Sequence, residues 1–306
     1  MVKYTMNQLR YDKGCNKRRA FTYDAKDKRG ENYYKSVAIK KAVKAIVSGV
    51  SKEEAIEIMG KVFDDIPYQS TQREILRKDA ERYIKRYFDW ETRDILEAEA
   101  DTVSVSPEME VEVTPDFIVG DATPQTITVI EEQFDKEKGR WKKTTKTVDI
   151  DGTIEVFRLQ AGKQSNFAKV DEFQNDIALY AMLVYARRFV ADGKKILIKA
   201  NYYFLKREDD SFSRGVFKPF DEKQIYGISE IYDGSENETD ERFSKIIETY
   251  LKGHDEFDCD PKDCQSCTLY DVCKGYAEAP LPVEREVRTK ADTICLNDLQ
   301  QYITEI

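Results

Sequence analysis

The N-terminal part of the chain places apolar side chains at helical spacing. Apolar residues recur every three or four positions in three successive segments, and Ser51 with Glu54 forms a capping box at the start of the second one. A more polar segment precedes all three. We therefore predict helices over residues 4–23, 33–48, 51–63 and 70–90.

From residue 101 onward, apolar positions alternate with polar ones, which is the period of a half-buried strand. Two alternating arms flank the turn-like "DKEKGR" at 135–140, which predicts a long hairpin. The predicted strands are 101–106, 109–119, 126–134, 141–150, 152–163, 194–208 and 214–220, and the later predicted helices are 171–190 and 240–253. This order of elements indicates an α/β or α+β domain with a mixed sheet.

The composition is that of a globular chain that is not coated in phosphate-binding charge. Among 306 residues, 49 are Lys or Arg and 58 are Asp or Glu, so the net charge is −9. A local basic groove is still compatible with this balance. No apolar run reaches membrane-spanning length and no signal-peptide pattern opens the chain. We therefore expect a cytoplasmic protein whose six cysteines serve metal or cluster chemistry.

Three cysteines near the C-terminus have the spacing of a metal or cluster site. Cys264, Cys267 and Cys273 follow the pattern C-x2-C-x5-C, and a C-x2-C turn directs two thiolates towards one centre. A fourth ligand must come from elsewhere in the chain. The candidates are Cys259, His254 and the remote Cys15, with Cys295 as a weaker choice. The spacing alone leaves zinc and iron–sulfur open.

Several segments resemble the RecB-like branch of the PD-(D/E)XK nuclease superfamily, which includes the AddB nuclease domain and the CRISPR-associated RecB-like exonucleases. The resembling segments are "YDKGCNKRRAFTYD", "VTPDFIV", "RLQAGK", "ANYYFLKRED" and the cysteine motif, and together they extend over about residues 5–278. The resemblance implies a restriction-endonuclease-like core with a mixed central sheet and an N-terminal helical region.

The resemblance also implies a domain plan and a cofactor. A nuclease-fold domain over 1–278 would carry a helical insertion at about 33–100 and a hairpin insertion at about 124–151, followed by a linker and short segment over 279–306. A 4Fe–4S cluster would join the two ends of this domain, with zinc as the alternative. Its implied ligands are Cys15, Cys264, Cys267 and Cys273, which makes Cys259 a spare.

The catalytic positions depart from the family pattern. Asp116 matches the family's acidic residue after the first core strand, and it would hold Mg2+ or Mn2+ in an active enzyme. The acid and the lysine of the family's acid-x-Lys motif are replaced by Arg158 and Gln160. A cation at the place of a metal ligand repels the metal, and Arg158 would instead attract phosphate or pair with Asp116. Tyr180 matches the tyrosine of the family's Q-x3-Y helix motif, but Asp176 stands in place of the glutamine.

A second register keeps an acid. Glu131 and Gln133 lie closer to the expected spacing after Asp116, although they do not run directly into the helix that carries Tyr180. Glu110 and Glu155 are further carboxylates that an active site would have available. We favour the register with Arg158 and Gln160.

Three functions follow from these observations. The first is a DNA-binding, catalytically degenerate nuclease-fold protein with a 4Fe–4S cluster, acting in DNA end processing, recombination or defence, which the resemblance places beside a helicase. The second is an active metal-dependent DNA nuclease that uses Asp116 with Glu131 or another carboxylate. The third is a zinc-stabilised protein-interaction module. Candidate DNA-contacting residues are Lys17, Arg18 and Arg19, and on the hairpin Arg140, Trp141, Lys142, Lys143 and Lys146.

Overall fold

Helices and strands follow one another through three sheets in the described part of the chain. The computed structural model describes residues 2–6, 9, 31–135, 140–164, 172–207, 209–210, 218–235 and 238–256. The helices are α1 (Glu31–Val47), α2 (Lys52–Lys61), α3 (Ser70–Trp90), α4 (Glu172–Arg187) and α5 (Glu238–Glu256), with a 3-10 turn at Glu222–Gln224. The strands are β1 (Val2–Thr5), β2 (Leu96–Glu97), β3 (Asp101–Ser106), β4 (Met109–Val113), β5 (Phe117–Asp121), β6 (Gln125–Asp135), β7 (Arg140–Ile150), β8 (Gly152–Gln160), β9 (Ile196–Phe204) and β10 (Ile225–Tyr232).

The largest sheet is mixed, as the sequence predicts. Its order is β10-β9-β8-β5-β2. Strands β2, β5 and β8 are successive antiparallel neighbours, whereas β9 runs parallel to β8 and β10 returns antiparallel to β9. Helix α4 lies between β8 and β9 in the chain, which is the crossover that a parallel pair requires. The fold is therefore α/β with a mixed sheet.

A smaller sheet of order β1-β4-β3 lies on the far side of α4. Helix α4 contacts β8 and β9 of the large sheet and β3 and β4 of the small one. Its apolar residues are therefore buried on all sides, from Ile177 through Leu183. The helix predicted over 4–23 is wrong at its start, because Val2–Thr5 pairs in parallel with β4 and buries Tyr4. Most of the remainder of that segment lies outside the described residues.

Two hydrophobic cores cover the two faces of the large sheet, and β8 contributes to both through its alternation. Val156 belongs to the core that contains α4, α5 and the small sheet, which we call the α4 core. Phe157 and Leu159 belong to the core that contains α1, α2 and α3, which we call the α1 core. Because the strand is buried on both faces, every residue from Glu155 to Gln160 is buried.

One polar stripe fixes α1 across the large sheet. Ser36, Lys40 and Lys44 are four residues apart and therefore share one face of the helix. The Ser36 hydroxyl accepts a hydrogen bond from the amide just beyond β8, Lys40 pairs with Asp116 at the start of β5, and Lys44 pairs with Glu97 of β2. Three strands are thus tied to one helix by successive turns of that helix.

Other differences from the predicted strands have local causes. The run 109–119 is divided into β4 and β5 at Thr114-Pro115, because proline has no amide hydrogen for the ladder. The sequence pattern missed β10, whose side chains show no clean alternation of burial. The strand predicted over 214–220 is wrong at residues 218–220, which form no strand, and residues 211–217 lie outside the described part. Among the described helices, none is long and apolar enough to cross a membrane.

A buried ion pair joins α3 to the segment that follows β9, and its loss is expected to destabilise the fold. Arg86 donates to the Leu205 carbonyl at 2.9 Å and to both Asp210 oxygens at 3.0 and 2.8 Å, and the side chains of the pair are 5% and 1% exposed. We predict that Arg86→Met lowers the free energy of unfolding by about 3–5 kcal/mol, because the Asp210 carboxylate stays buried without its partner.

The neighbouring lysine supplies the control for this measurement by urea unfolding. Lys85 is 56% exposed and pairs with Glu81 one turn away at 2.6 Å. Lys85→Met should change the unfolding free energy by less than about 0.5 kcal/mol, as is usual for exposed helix pairs. Equal effects of the two substitutions would contradict the role assigned to Arg86.

Candidate functional site

Asp116 lies where β5 begins and where its side chain meets β8 and α1. Its backbone amide donates to the Phe157 carbonyl at 3.0 Å. Its carboxylate accepts the Leu159 amide hydrogen at 2.8 Å and pairs with the Lys40 ammonium, also at 2.8 Å. The Asp116 side chain is only 10% exposed. Both carboxylate oxygens are therefore engaged by groups of the protein itself.

Arg158 and Gln160 lie on β8, and Asp116 lies immediately before the adjacent strand β5. Arg158 does not pair with Asp116. Its side chain lies against the α4 core, where Nη1 is 4.0 Å from the Met6 sulfur. Its Nε is buried and has no hydrogen-bond partner among the described residues.

Gln160 is buried at the end of β8, and its carbonyl accepts the Leu205 amide hydrogen at 2.9 Å. The next amide, that of Ala161, donates to the Ser36 hydroxyl at 3.0 Å. The carboxyl end of β8 is therefore closed by backbone and side-chain contacts. The backbone groups at the end of β8 are therefore occupied by protein contacts and are not available to a ligand.

Glu155 is the acid on β8, and its carboxylate is also fully occupied. It accepts hydrogen bonds from Arg93 at 2.6 Å, from Asn201 at 2.6 Å and from the Tyr203 hydroxyl. Burial, together with the adjacent Glu155 carboxylate, raises the pKa of Tyr203 above its ordinary value, so the phenol remains a donor. A Cβ at Gly227 would lie 1.8 Å from the Asn201 side-chain oxygen, so the glycine makes room for this network.

The other carboxylates considered from sequence are not placed beside Asp116 by the sheet topology. Glu110 lies on β4 in the small sheet, and Glu131 lies on β6 in the separate two-stranded ribbon. Among the described residues, no group of three or more histidine, cysteine, aspartate or glutamate side chains has the arrangement to hold a metal ion. The charged partner of Asp116 is Lys40.

Tyr180 stabilises the contact between α4 and α5. Its hydroxyl donates to Asp240 at 2.5 Å, and its ring stacks on Phe243 with centroids 4.4 Å apart and planes 6° apart. Burial, reinforced by the Asp240 hydrogen bond, raises the pKa of Tyr180 above its ordinary value. Asp176, one turn earlier on α4, lies 3.6 Å from Arg242 of α5. These contacts give Tyr180 a structural role in the α4 core.

The cysteine site lies outside the described residues, as do Lys17, Arg18 and Arg19. Two described segments that lie next to the cysteines in sequence, the Tyr4–Leu9 segment and α5, contact each other. Tyr4 of β1 contacts Tyr250 of α5 edge to face at 6.0 Å. Met6 and Leu9 share the α4 core with Phe243 and Ile247, so the chain leaves the described part near α5 at both ends.

Lys40 and a neighbouring buried pair are among the polar residues that the sequence pattern did not indicate. Lys35 of α1 lies 3.9 Å from Asp79 of α3, and both side chains are nearly inaccessible. Burial lowers the pKa of Lys35 and raises the pKa of Asp79, because both charged forms are removed from water. The spacing of Ser36 and Lys40 was the available signal for a polar face on α1, but their partners are remote in sequence.

No protein-family model, curated protein or solved structure matches this chain.

The contacts of Asp116 predict a stability role that needs no metal. Asp116→Ala removes the acceptor of the Leu159 amide and the partner of Lys40, so we expect it to lower the free energy of unfolding by about 1–3 kcal/mol. Asp116→Asn should cost less, because its amide oxygen can still accept the Leu159 hydrogen. Urea unfolding in the presence of a chelator measures both.

Asp94, an exposed aspartate in the loop before β2, gives the matched control. Asp94→Ala should leave the unfolding free energy within about 0.5 kcal/mol of the parent. If the parent protein is no more stable than Asp116→Ala, the carboxylate contributes no net stability. That result would contradict the structural role and would fit a metal ligand in a metal-free site.

Proposed function

We propose that this chain is a DNA-binding protein with a PD-(D/E)XK nuclease-like core whose catalytic position is degenerate. The order of β2, β5, β8, α4 and β9 supports this proposal: three antiparallel strands are followed by a helical crossover to a parallel fourth strand. Asp116 immediately precedes the second of these strands, and Arg158 and Gln160 lie near the end of the third.

The observation that carries the proposal is the state of the Asp116 carboxylate. A catalytic divalent ion needs several carboxylate or carbonyl oxygens, and it must reach water and a phosphate. Here Lys40 supplies the positive charge at 2.8 Å, and the side chain is nearly buried. Arg158, which the resemblance aligns with the second acid, directs its side chain to the α4 core and supplies no metal-binding oxygen. The geometry supports a protein that keeps a nuclease-like fold but does not hydrolyse DNA.

The alternative active sites receive no support from the described contacts. Glu155 is held by three donors, and Glu131 belongs to a ribbon that pairs with no strand of the large sheet. An active enzyme would therefore need to release one acid from its network or recruit a residue outside the described part.

The contact between the Tyr4–Leu9 segment and α5 fits a cysteine-bound cluster. Cys15 follows the Tyr4–Leu9 segment, and the C-x2-C-x5-C motif follows α5, the helix that this segment contacts. Four thiolates are the donor set that a 4Fe–4S centre takes. We propose Cys15, Cys264, Cys267 and Cys273 as ligands, and such a cluster would join the termini of the domain.

The first test measures binding and cleavage of the same labelled DNA. We expect salt-dependent binding of the full chain, with no cleavage above background in Mg2+ or Mn2+ and no change for Asp116→Ala. Metal-dependent cleavage that Asp116→Ala abolishes would overturn the degenerate reading. Cleavage abolished by Glu131→Gln instead would assign activity to the other register, and absence of salt-dependent binding would refute the DNA-binding role.

The second test concerns the cofactor. Protein purified without oxygen should be brown, with a broad absorption band at roughly 400 nm, because thiolate-bound iron–sulfur centres absorb there. Cys15→Ala should lose the band and the iron, whereas Cys259→Ala, as the matched control, should keep both. A colourless protein with stoichiometric zinc, or the opposite order of the two variants, would contradict the ligand set.

A further inference from the structure

Arg158 is a buried cation that no carboxylate of the described residues neutralises. Six charged residues are buried in the described part of the chain: Lys35, Asp79, Arg86, Glu155, Arg158 and Glu230. Five of the six lie within 3.9 Å of an oppositely charged side chain, and Arg158 is the exception among them. A buried charge without a counter-charge costs free energy, so the exception calls for a partner.

The guanidinium of Arg158 has unused hydrogen-bond donors. An arginine side chain carries five N–H groups, whereas a thioether sulfur is only a weak acceptor. Nη1 contacts the Met6 sulfur at 4.0 Å, and Nε is enclosed without a hydrogen bond to any described residue. Nη2 is not enclosed in this way. The whole residue is only 9% exposed, so only a small group can reach the guanidinium.

Three acids that lie on α4 or on elements packed against it are already engaged elsewhere. Asp176 of α4 lies 3.6 Å from Arg242 of α5. Glu230 of β10 and Asp240 of α5 both pair with Arg187, at 2.6 and 2.7 Å. Each of these carboxylates therefore has a cation other than the arginine of β8 as its partner.

We propose that Arg158 binds a phosphate monoester, either the terminal phosphate of a DNA strand or a free phosphorylated compound. A guanidinium presents parallel N–H groups that match two phosphate oxygens, and this pairing supplies a counter-charge. At neutral pH a phosphate monoester carries a charge of about −1.5 to −2, so it neutralises an enclosed cation more strongly than a carboxylate does.

The enclosure of Arg158 favours a terminal phosphate over one within a strand. A phosphate within a strand has a sugar on each side, whereas a terminal phosphate is free on one side and can enter an enclosed position. The strand end as the source of the phosphate rests on the proposed DNA-binding function. The phosphate site itself rests on the contacts of Arg158.

This site is separate from Asp116. The Asp116 carboxylate pairs with Lys40 of α1, whereas the Arg158 side chain lies against Met6 in the α4 core, on the other face of the large sheet. Phosphate binding at Arg158 therefore requires neither the Asp116 carboxylate nor a metal ion.

Thermal unfolding tests the phosphate site without DNA. We expect about 50 mM phosphate to raise the melting temperature of the full chain by at least about 2 °C over chloride or acetate of the same ionic strength, because a ligand of the folded state stabilises it. Arg158→Gln should show no phosphate shift. In chloride it should melt no lower than the parent, because it loses no ion pair with a described residue. The matched control, Arg188→Gln, removes an exposed arginine and should keep the shift.

Binding of labelled single strands with different ends identifies the source of the phosphate. The parent should bind a strand with a 5′- or a 3′-terminal phosphate at least about tenfold more tightly than the same strand with hydroxyl ends. Arg158→Gln should bind all of these strands equally, and Arg188→Gln should keep the preference of the parent.

An end preference that Arg158→Gln abolishes supports the strand end as the ligand. A phosphate shift without such a preference supports a free phosphorylated compound. The inference is overturned if the parent shows neither effect, if Arg158→Gln shows both unchanged, or if acetate shifts the melting temperature as much as phosphate does. A melting temperature of Arg158→Gln several degrees below that of the parent in chloride also overturns it, because Arg158 would then have a partner within the protein.

The proposed function is judged separately by the strand with hydroxyl ends. If the parent binds all strands equally, the DNA-binding proposal stands and the strand-end assignment is wrong. If the parent binds none of them, the proposed function is refuted, and the phosphate shift alone decides whether Arg158 holds a phosphate.

Discussion

The carboxylate of Asp116 ties together three parts of the fold. It accepts a hydrogen bond from the Leu159 amide on β8 and forms an ion pair with Lys40 of α1. The Asp116 backbone leads directly into β5. The flanking contacts of Ser36 and Lys44 continue the same helix face to β8 and β2. These two oxygens serve the cohesion of the fold, one through the Leu159 amide and the other through Lys40.

Several other buried charges follow the same rule. Glu155 is enclosed by Arg93, Asn201 and Tyr203, and Arg187 holds Glu230 and Asp240 on the opposite side of the sheet. A buried charge costs free energy unless it is paired and hydrogen-bonded, and these groups find their partners inside the protein. The body of the domain is consequently closed at its centre.

Local sequence patterns predicted the elements whose formation depends on neighbouring residues. Helices α1, α2 and α3 and the ribbon followed from spacing, capping and turn residues, and Asp116 was marked by its place after an alternating run. Strand β1 was missed because four residues become a strand only through pairing with remote β4, and β10 because its burial does not alternate. The pairing of Lys40 with Asp116 could not be predicted from the sequence. Helical spacing shows which residues share a face of the helix, but it does not show which residues that face contacts.

Binding of Mn2+ tests the central claim most directly, because it asks whether Asp116 is a ligand without depending on any substrate. The electron paramagnetic resonance signal of free Mn2+ can be titrated with the parent protein and with Asp116→Asn. An internal Lys40–Asp116 pair predicts superimposable titrations, with no site that depends on Asp116. A stoichiometric Mn2+ site in the parent that disappears in Asp116→Asn would contradict the claim and restore this position to metal-dependent chemistry.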